Sequence, residues 1–456
     1  GTSPIGIEDN FFDLGGDSLN AIELVSTAHN EGIYFNLQNV FDFPTIKELC
    51  KCIESDDKKY LSYADIDFMG INDILQKNRI ENIALLREKD VGNILLAGAT
   101  GYLGIHILAD FLDNDNGLAY CLVRGKDKMD STTRLKELLA FYFDKKYIDM
   151  NRIEVICADL QRDGMGLTDL EYKKLLQKVD TVINCAANVK HYGTYRYFKE
   201  INVDGTKRLV QFCKESNAKL IHISTLTISG NGFENKMLQN NTVFTERSFY
   251  IGQSLVNVYA RSKFEAERVV LDAMTDGLSA NIMRMGNLTN RVSDGVFQRN
   301  YKSNAFLKRI KALIDLGVYP DSLSDLEVEF TPVDEAARAV MVITRNFNNL
   351  QTVFHINNPK TIKVKDVFEM LAGMNHSVEK IPYEDFERLL YDSSNQNILN
   401  AFINDMNEEY PLNYDSNIHI QSDFTVQYLK QYGFEWIDVG IDYLRKYVEY
   451  FEKLGD

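Results

Sequence analysis

From residue 92 onward, short apolar runs alternate with amphipathic stretches. The runs are "NILLAGATGYLG", "LAYCLVRG", "RIEVICADL", "DTVINCAA", "KLIHIST" and "ANIMRMGN", each with the length of a buried strand. Helical segments between them predict an α/β fold, a doubly wound parallel sheet covered on both faces. The last part is less regular. "NAFLKRIKALIDLG" reads as a helix, "EVEFTPVDEAARAVMVI" as a strand then a helix, and "VGIDYLRKYVEYFEKL" as a closing amphipathic helix. Residues 1–55 have another rhythm. "NAIELVSTAHNEG" predicts a helix closed by Gly32, and "NVFDFPTIKELCKCIES" places Pro44 at a helix start ahead of Ile46, Leu49 and Ile53. "SDDKKYLSYADID" is charged and aperiodic and predicts a linker.

Composition narrows the function classes. The 456 residues leave room for two or three domains. A net charge of −16 argues against nucleic-acid binding, which needs a basic face. No apolar run is long enough for a bilayer and no leader pattern opens the chain, so a soluble, cytoplasmic protein without membrane partners is expected. Of the six cysteines, Cys50 and Cys52 form a CxC, and Cys121, Cys157 and Cys185 lie in apolar runs. With no CxxC, they read as reduced and structural, and no metal site is expected.

Three stretches carry chemistry. Gly98, Gly101 and Gly104 follow a strand and open a helix. Residues without a Cβ let a pyrophosphate approach the backbone, where the helix N-terminus offers N–H groups; a tight turn without ligand is the alternative. The second strand ends on Arg124, with Lys126 and Lys128 behind it, where an NAD site commonly places an acid. A cation there suits a 2′-phosphate and favours NADPH, unless Arg124 is simply a solvated strand end. The spacing YxxxK occurs at Tyr142/Lys146, Tyr195/Lys199 and Tyr259/Lys263. Only Tyr259 follows the strand "KLIHIST", which delivers Ser224 and Thr225 at its C-terminal end. A hydroxyl, a phenol and an ammonium would form an acid–base set. Lys263 would lower the Tyr259 pKa and hold a cofactor ribose, Tyr259 would protonate a developing alkoxide, and Thr225 would steady the same oxygen. Near the start, "GGDSLNAIELV" puts Ser18 at or beside a helix N-cap, where its hydroxyl could accept backbone N–H bonds.

In this order the motifs from residue 92 onward resemble the extended short-chain dehydrogenase/reductase superfamily: "GATGYLG", "ADL", "NCAANV", "NVDGT", "STLTISG", "YARSK" and "RMGN". The resemblance implies a Rossmann sheet whose cofactor is held by Gly98, Thr100, Gly101, Tyr102, Leu103, Gly104, Arg124, Asp159, Leu160, Ala186, Asn202 and Lys263. It also puts the catalytic hydroxyl on Thr225 rather than Ser224, beside Tyr259 and Lys263. "FFDLGGDSLNAIELV" resembles the attachment site of acyl and peptidyl carrier domains, which implies a 4′-phosphopantetheine on Ser18 installed by a phosphopantetheinyl transferase. Such domains have an earlier first helix, yet 17 residues precede Ser18, so the carrier's N-terminal helix is expected to be missing.

A carrier joined to an extended reductase resembles the C-terminal pair of nonribosomal peptide synthetases, and the related carboxylic acid and aminoadipate reductases. This implies upstream synthetase domains as partners and an acyl or peptidyl thioester as substrate. NADPH would reduce the thioester, collapse of the hemithioacetal would free an aldehyde, and a second reduction could give an alcohol. The implied organisation is an all-α carrier over 1–57 and a lead-in over 58–90. The reductase follows over 91–456, with a Rossmann core near 91–290 and 330–360, and a smaller C-terminal substrate subdomain from 290–329 and 361–456. Competing readings are a nucleotide-sugar epimerase, a non-redox cyclising domain and a scaffold; no GxSxG elbow encodes hydrolytic release. His191 and Tyr192 could approach substrate or pack a loop. Phe306 and Leu307 could line a channel or a core, and Leu19 and Ile22 could dock partners or fill the carrier.

Overall fold

Seven apolar runs form one parallel sheet: β1 Ile94–Ala97, β2 Ala119–Val123, β3 Ile153–Cys157, β4 Thr181–Asn184, β5 Lys219–Thr225, β6 Ala280–Met285 and β7 Val353–Ile356. The computed structural model describes residues 4–33, 35–54, 63–83, 90–147, 149–190, 193–230, 232–234, 242–301, 305–374, 376–390, 398, 402 and 418–454. Strand order is β7-β6-β5-β4-β1-β2-β3. Alternate residues serve opposite faces, as the period of a strand requires. Ile94, Leu96, Ile183 and Ile221 fill one core, and Leu95, Ala97, Val182 and Leu220 the other. The order reverses between β1 and β4, and the C-terminal ends of the strands at such a reversal are where open parallel sheets bind ligands. The six strands read from the sequence are present; β7, four residues with a histidine among them, is an addition.

Residues 63–67, the end of the charged stretch, and the lead-in that follows to residue 83 are packed rather than loose. Helix α4, Met69–Leu75, lies against the sheet's covering helices, and Tyr63, Phe68, Ile71 and Leu75 are buried with Phe249 and Phe264. Each such side chain contributes about 1.5–3 kcal/mol by leaving water. The remainder of the expected linker, 55–62 and 84–89, lies outside the described residues.

The N-terminal unit holds α1 Ser18–Asn30, α2 Leu37–Asp42 and α3 Ile46–Glu54. Ser18 is the first helical residue, not the cap. Asp17 caps α1 by accepting the Asn20 N–H at 2.9 Å, and the Asn20 side chain accepts the Asp17 N–H at 3.1 Å in return. Gly32, at φ +78°, lets the chain turn after α1. Ala21, Ile22, Val25 and Leu37 are buried, which settles Ile22 as a packing residue. They share one apolar cluster with Phe297, Phe330 and Tyr447 of the C-terminal region.

That C-terminal region pairs Val318–Pro320 with Glu379–Ile381 and packs helices Val364–Ala372 and Tyr383–Leu390 around Phe368 and Phe386. It does not run unbroken over 361–456 as expected. Helix Asp423–Gln431 places Phe424, Tyr428 and Leu429 in the sheet's own core, against Phe354 of β7. His191 and Tyr192, and the side chains of Leu19, Phe306 and Leu307, lie outside the described residues.

Candidate active site

The turn after β1 is built from backbone contacts that only glycine permits. Gly98 sits at φ +84°, and a Cβ there would lie 2.7 Å from the Ala186 nitrogen. At Gly104 a Cβ would come within 2.2 Å of the Gly98 carbonyl oxygen. The turn therefore presses on the end of β4 below and on the next helix above. That helix, α5 Tyr102–Asn114, has Gly101 at its N-cap with no side chain closing it. Its first N–H groups are left for an anion. We expect Gly104→Ala to weaken dinucleotide binding at least tenfold and to lower the melting temperature, because the clashing atoms are backbone and cannot turn aside. Nucleotide titration and a thermal melt check both.

The other expected cofactor residues divide by what their side chains do. Thr100 is half-buried in the turn, and Arg124 is exposed at the end of β2. Asp159 and Leu160 follow β3; the Asp159 carboxylate accepts the Gln161 N–H at 3.0 Å. Ala186 follows β4 and forms the floor under Gly98. Three residues have side chains engaged within the fold. Leu103 is buried, and the Tyr102 hydroxyl turns away to donate to the Thr289 carbonyl at 2.9 Å, so each brings only its backbone to the turn. Asn202 is 1% exposed. Its amide donates to Ser262 at 2.8 Å and to the Asn188 carbonyl at 3.1 Å, and its oxygen accepts the Asn188 N–H at 2.7 Å. It ties the strand-end loop after β4 to the helix carrying Tyr259 rather than presenting a free donor.

Thr225 ends β5, and Tyr259 and Lys263 lie one turn apart on the helix Val258–Thr275. Asn257 caps that helix by accepting the N–H groups of Tyr259 and Ala260 at 3.0 and 3.1 Å. The Thr225 hydroxyl is hydrogen-bonded to the Tyr259 phenol and lies 2.9 Å from the Thr227 hydroxyl. Lys263, 3% exposed, donates to the Ile223 carbonyl at 2.5 Å. Thus the three residues chosen from the sequence converge at one strand end. The other two YxxxK pairs are engaged elsewhere. Tyr142 accepts the Arg299 N–H at 3.0 Å, and Lys146 pairs with Asp113. Tyr195 donates to Glu265, and Lys199 pairs with Asp204.

The electrostatics correct one expectation. Lys263 does not depress Tyr259: burial pushes the phenol up to about 12, and the Thr225 hydrogen bond opposes this only in part. The phenol therefore holds its proton through the neutral range. Lys263 is itself the perturbed base. Burial brings it down to about 8, while the Glu267 carboxylate pulls the other way. Glu267 lies one turn beyond Lys263 and is fully buried. Arg284 of β6 pairs with it, and Ser224, the hydroxyl passed over, donates to it at 2.7 Å. Glu267 shares the four-residue spacing of Tyr259 and Lys263, a signal present in the sequence. Its partner Arg284 comes from a separate strand.

The opposite side of the Tyr259 helix faces the N-terminal unit. Gln38 of α2 donates to the Gly193 carbonyl at 3.1 Å and accepts the Gly193 N–H at 3.3 Å. Asp42 of α2 lies in the field of Arg261, which lowers its pKa against the larger opposing effect of burial. Arg261 stacks 4.0 Å over the Tyr195 ring and pairs with Glu265, which also accepts the Tyr63 hydroxyl at 2.7 Å.

Comparison with known proteins agrees with this layout. Residues 96–340 match the male sterility protein family of NAD-binding domains, and residues 1–53 match the phosphopantetheine attachment site family. A linear gramicidin synthase of Brevibacillus parabrevis is 27% identical over 99% of this chain, which spans 9% of that protein. The L-2-aminoadipate reductase of Candida glabrata, in its large subunit, is 28% identical over 86% of this chain, which spans 30% of that protein. A solved thiolation-reductase didomain from an archaeal nonribosomal peptide synthetase superposes with a TM-score of 0.86 at 32% identity, covering 99% of this chain and 94% of that one. Among the described residues no helix is long and apolar enough to cross a membrane.

Proposed function

Because the chain belongs to the male sterility protein family over residues 96–340 and carries a phosphopantetheine attachment domain over residues 1–53, we propose that it reduces a thioester tethered to its own carrier and releases the acyl or peptidyl group as an aldehyde. Further reduction would give an alcohol. The observation that carries this reading is the meeting of Thr225, Tyr259 and Lys263 at the end of β5, with only β4 between that strand and the one that leads into the glycine turn, in a chain that also holds a carrier.

The site fits a dinucleotide: the cradle at Gly98 and Gly104 would be filled by a Cβ, and the first N–H groups of α5 are uncapped. Gly98, Thr100, Gly101 and Gly104 would hold the pyrophosphate, and Asp159 would lie at the adenine. Arg124 would meet a 2′-phosphate, which favours NADPH over NADH. When bound, the nicotinamide supplies the hydride. The chain's own part is to fix the carbonyl and manage its proton. Tyr259, protonated at neutral pH, and Thr225 together donate to the carbonyl oxygen as negative charge gathers there. Lys263 would hold the cofactor ribose. Ser18, the first residue of α1, would carry the arm installed by a phosphopantetheinyl transferase, with its phosphodiester at the positive end of that helix. Upstream synthetase modules would supply the acyl group.

The test is to load an acyl-phosphopantetheine on the carrier, add NADPH and identify the product. Aldehyde or alcohol formation with matching NADPH oxidation supports the reading; a hydrolysed acid, or no NADPH oxidation, overturns it. Placement in a carboxylic acid or aminoadipate reductase is the second reading, favoured by the similarity to the Candida glabrata protein.

A pH dependence follows. With Lys263 at about 8, its charge is present below that pH and lost above it. The kcat/KM for NADPH should fall with a one-proton slope as pH rises through about 8. Glu267→Gln removes the carboxylate that favours the charged form, so the fall should move to lower pH. An unmoved limb would assign the titration to another group.

A further inference from the structure

Glu329 is a carboxylate near the end of β6 with no cation to balance it among the described residues. In register, Met285 at the end of β6 pairs with Thr225 at the end of β5. Gly286 follows Met285, and the Glu329 carboxylate occupies the space a side chain there would need: a Cβ on Gly286 would lie 2.0 Å from Oε1 and 2.6 Å from Oε2. Oε1 is held by the Asn287 N–H at 3.1 Å and by the Thr331 hydroxyl. Oε2 has no hydrogen-bond partner and neither oxygen has an ion-pair partner among the described residues, and the side chain is half-buried. Burial lifts its pKa to about 7.

The two bonds to Oε1 do not require a charge, since a glutamine oxygen would accept both equally well. A half-buried carboxylate without a counter-charge is costly, and the cost is removed when a ligand brings a cation. Neighbouring strands lie about 4.8 Å apart, and Gly286 is one residue past the partner of Thr225, so the backbone that Glu329 covers lies close to the Thr225 strand end. An amine on the carbon next to a carbonyl held at Thr225 would span that gap with one hydrogen bond.

We propose that Glu329 receives the protonated amine of an aminoacyl thioester, so that the favoured cargo carries an unblocked amine adjacent to the carbonyl that is reduced. This rests on the thioester reductase reading and narrows its substrate class. Blocked peptidyl groups and simple fatty acyl groups would lack the ion pair.

The test compares alanyl- and propionyl-phosphopantetheine, which differ by the amine, loaded on Ser18 of the full chain and reduced with NADPH in single turnover. Hydrogen bonds to a charged group carry enough energy for a preference of about tenfold or more. The unmodified protein should therefore reduce the alanyl form at least about tenfold faster, and Glu329→Gln should bring the ratio to within about twofold. Equal rates in the unmodified protein would overturn the proposal, whatever the variant's folding. So would a preference that persists in a folded Glu329→Gln protein. Failure of both substrates would instead count against thioester reduction itself.

Discussion

Replacing Ser18 with alanine should abolish NADPH oxidation on carrier-loaded substrate while reduction of a free aldehyde persists. The two activities separate because they use different parts of the chain. Ser18 opens α1, and the cap of that helix is formed by Asp17 and Asn20, which the substitution leaves in place. Its loss removes the attachment point and leaves the glycine turn, Thr225, Tyr259 and Lys263 in place. Mass spectrometry after incubation with a phosphopantetheinyl transferase should show no added arm on the variant. Equal loss of both activities, with the fold intact by circular dichroism, would mean that Ser18 acts in some way other than as a tether.

Tyr259→Phe should cut hydride transfer by roughly two orders of magnitude or more, the scale of a lost general acid. The phenol is held by Thr225 and kept protonated by burial, so it is a ready donor. Without it Thr225 alone faces the developing charge, and its other contact, Thr227, is a neutral hydroxyl. The ring itself remains, so packing at the head of the Tyr259 helix and the Asn257 cap are preserved. Nucleotide affinity should change far less than rate, because the phosphates are held at the glycine turn. Single-turnover rates beside a binding titration separate the two effects. An unchanged rate would place the proton donor elsewhere.

The parts of this site that were readable in sequence are those fixed by short-range spacing. Three glycines in a strand-to-helix turn, and a Tyr and Lys one helical turn apart, state their geometry within a few residues. Position along the chain then separated Tyr259/Lys263 from two identical spacings, since only one follows the strand that ends at Thr225. The rest depends on contacts across the fold. That Tyr102 swings toward Thr289 rather than toward the turn is decided 187 residues away. Arg284 reaches Glu267 from a neighbouring strand, and Glu329 arrives at Gly286 from a later segment. The spacing of Tyr259 and Lys263 suggests a lowered phenol pKa, but burial raises it instead, and burial is a property of the whole molecule. Phe68, Ile71 and Leu75 did carry a helical spacing, obscured by the charged residues before them.

The buried lead-in bears on where this reductase can be joined to another carrier. A chimera joined just before β1 would leave behind Tyr63, Phe68, Ile71 and Leu75, and with them the Tyr63 bond to Glu265 on the helix that carries Tyr259. The grafted enzyme would present a bare aromatic face to solvent and lose a brace on the helix that carries Tyr259. The safer splice lies upstream of Tyr63, so that the exchangeable unit is longer than its nucleotide-binding motif suggests.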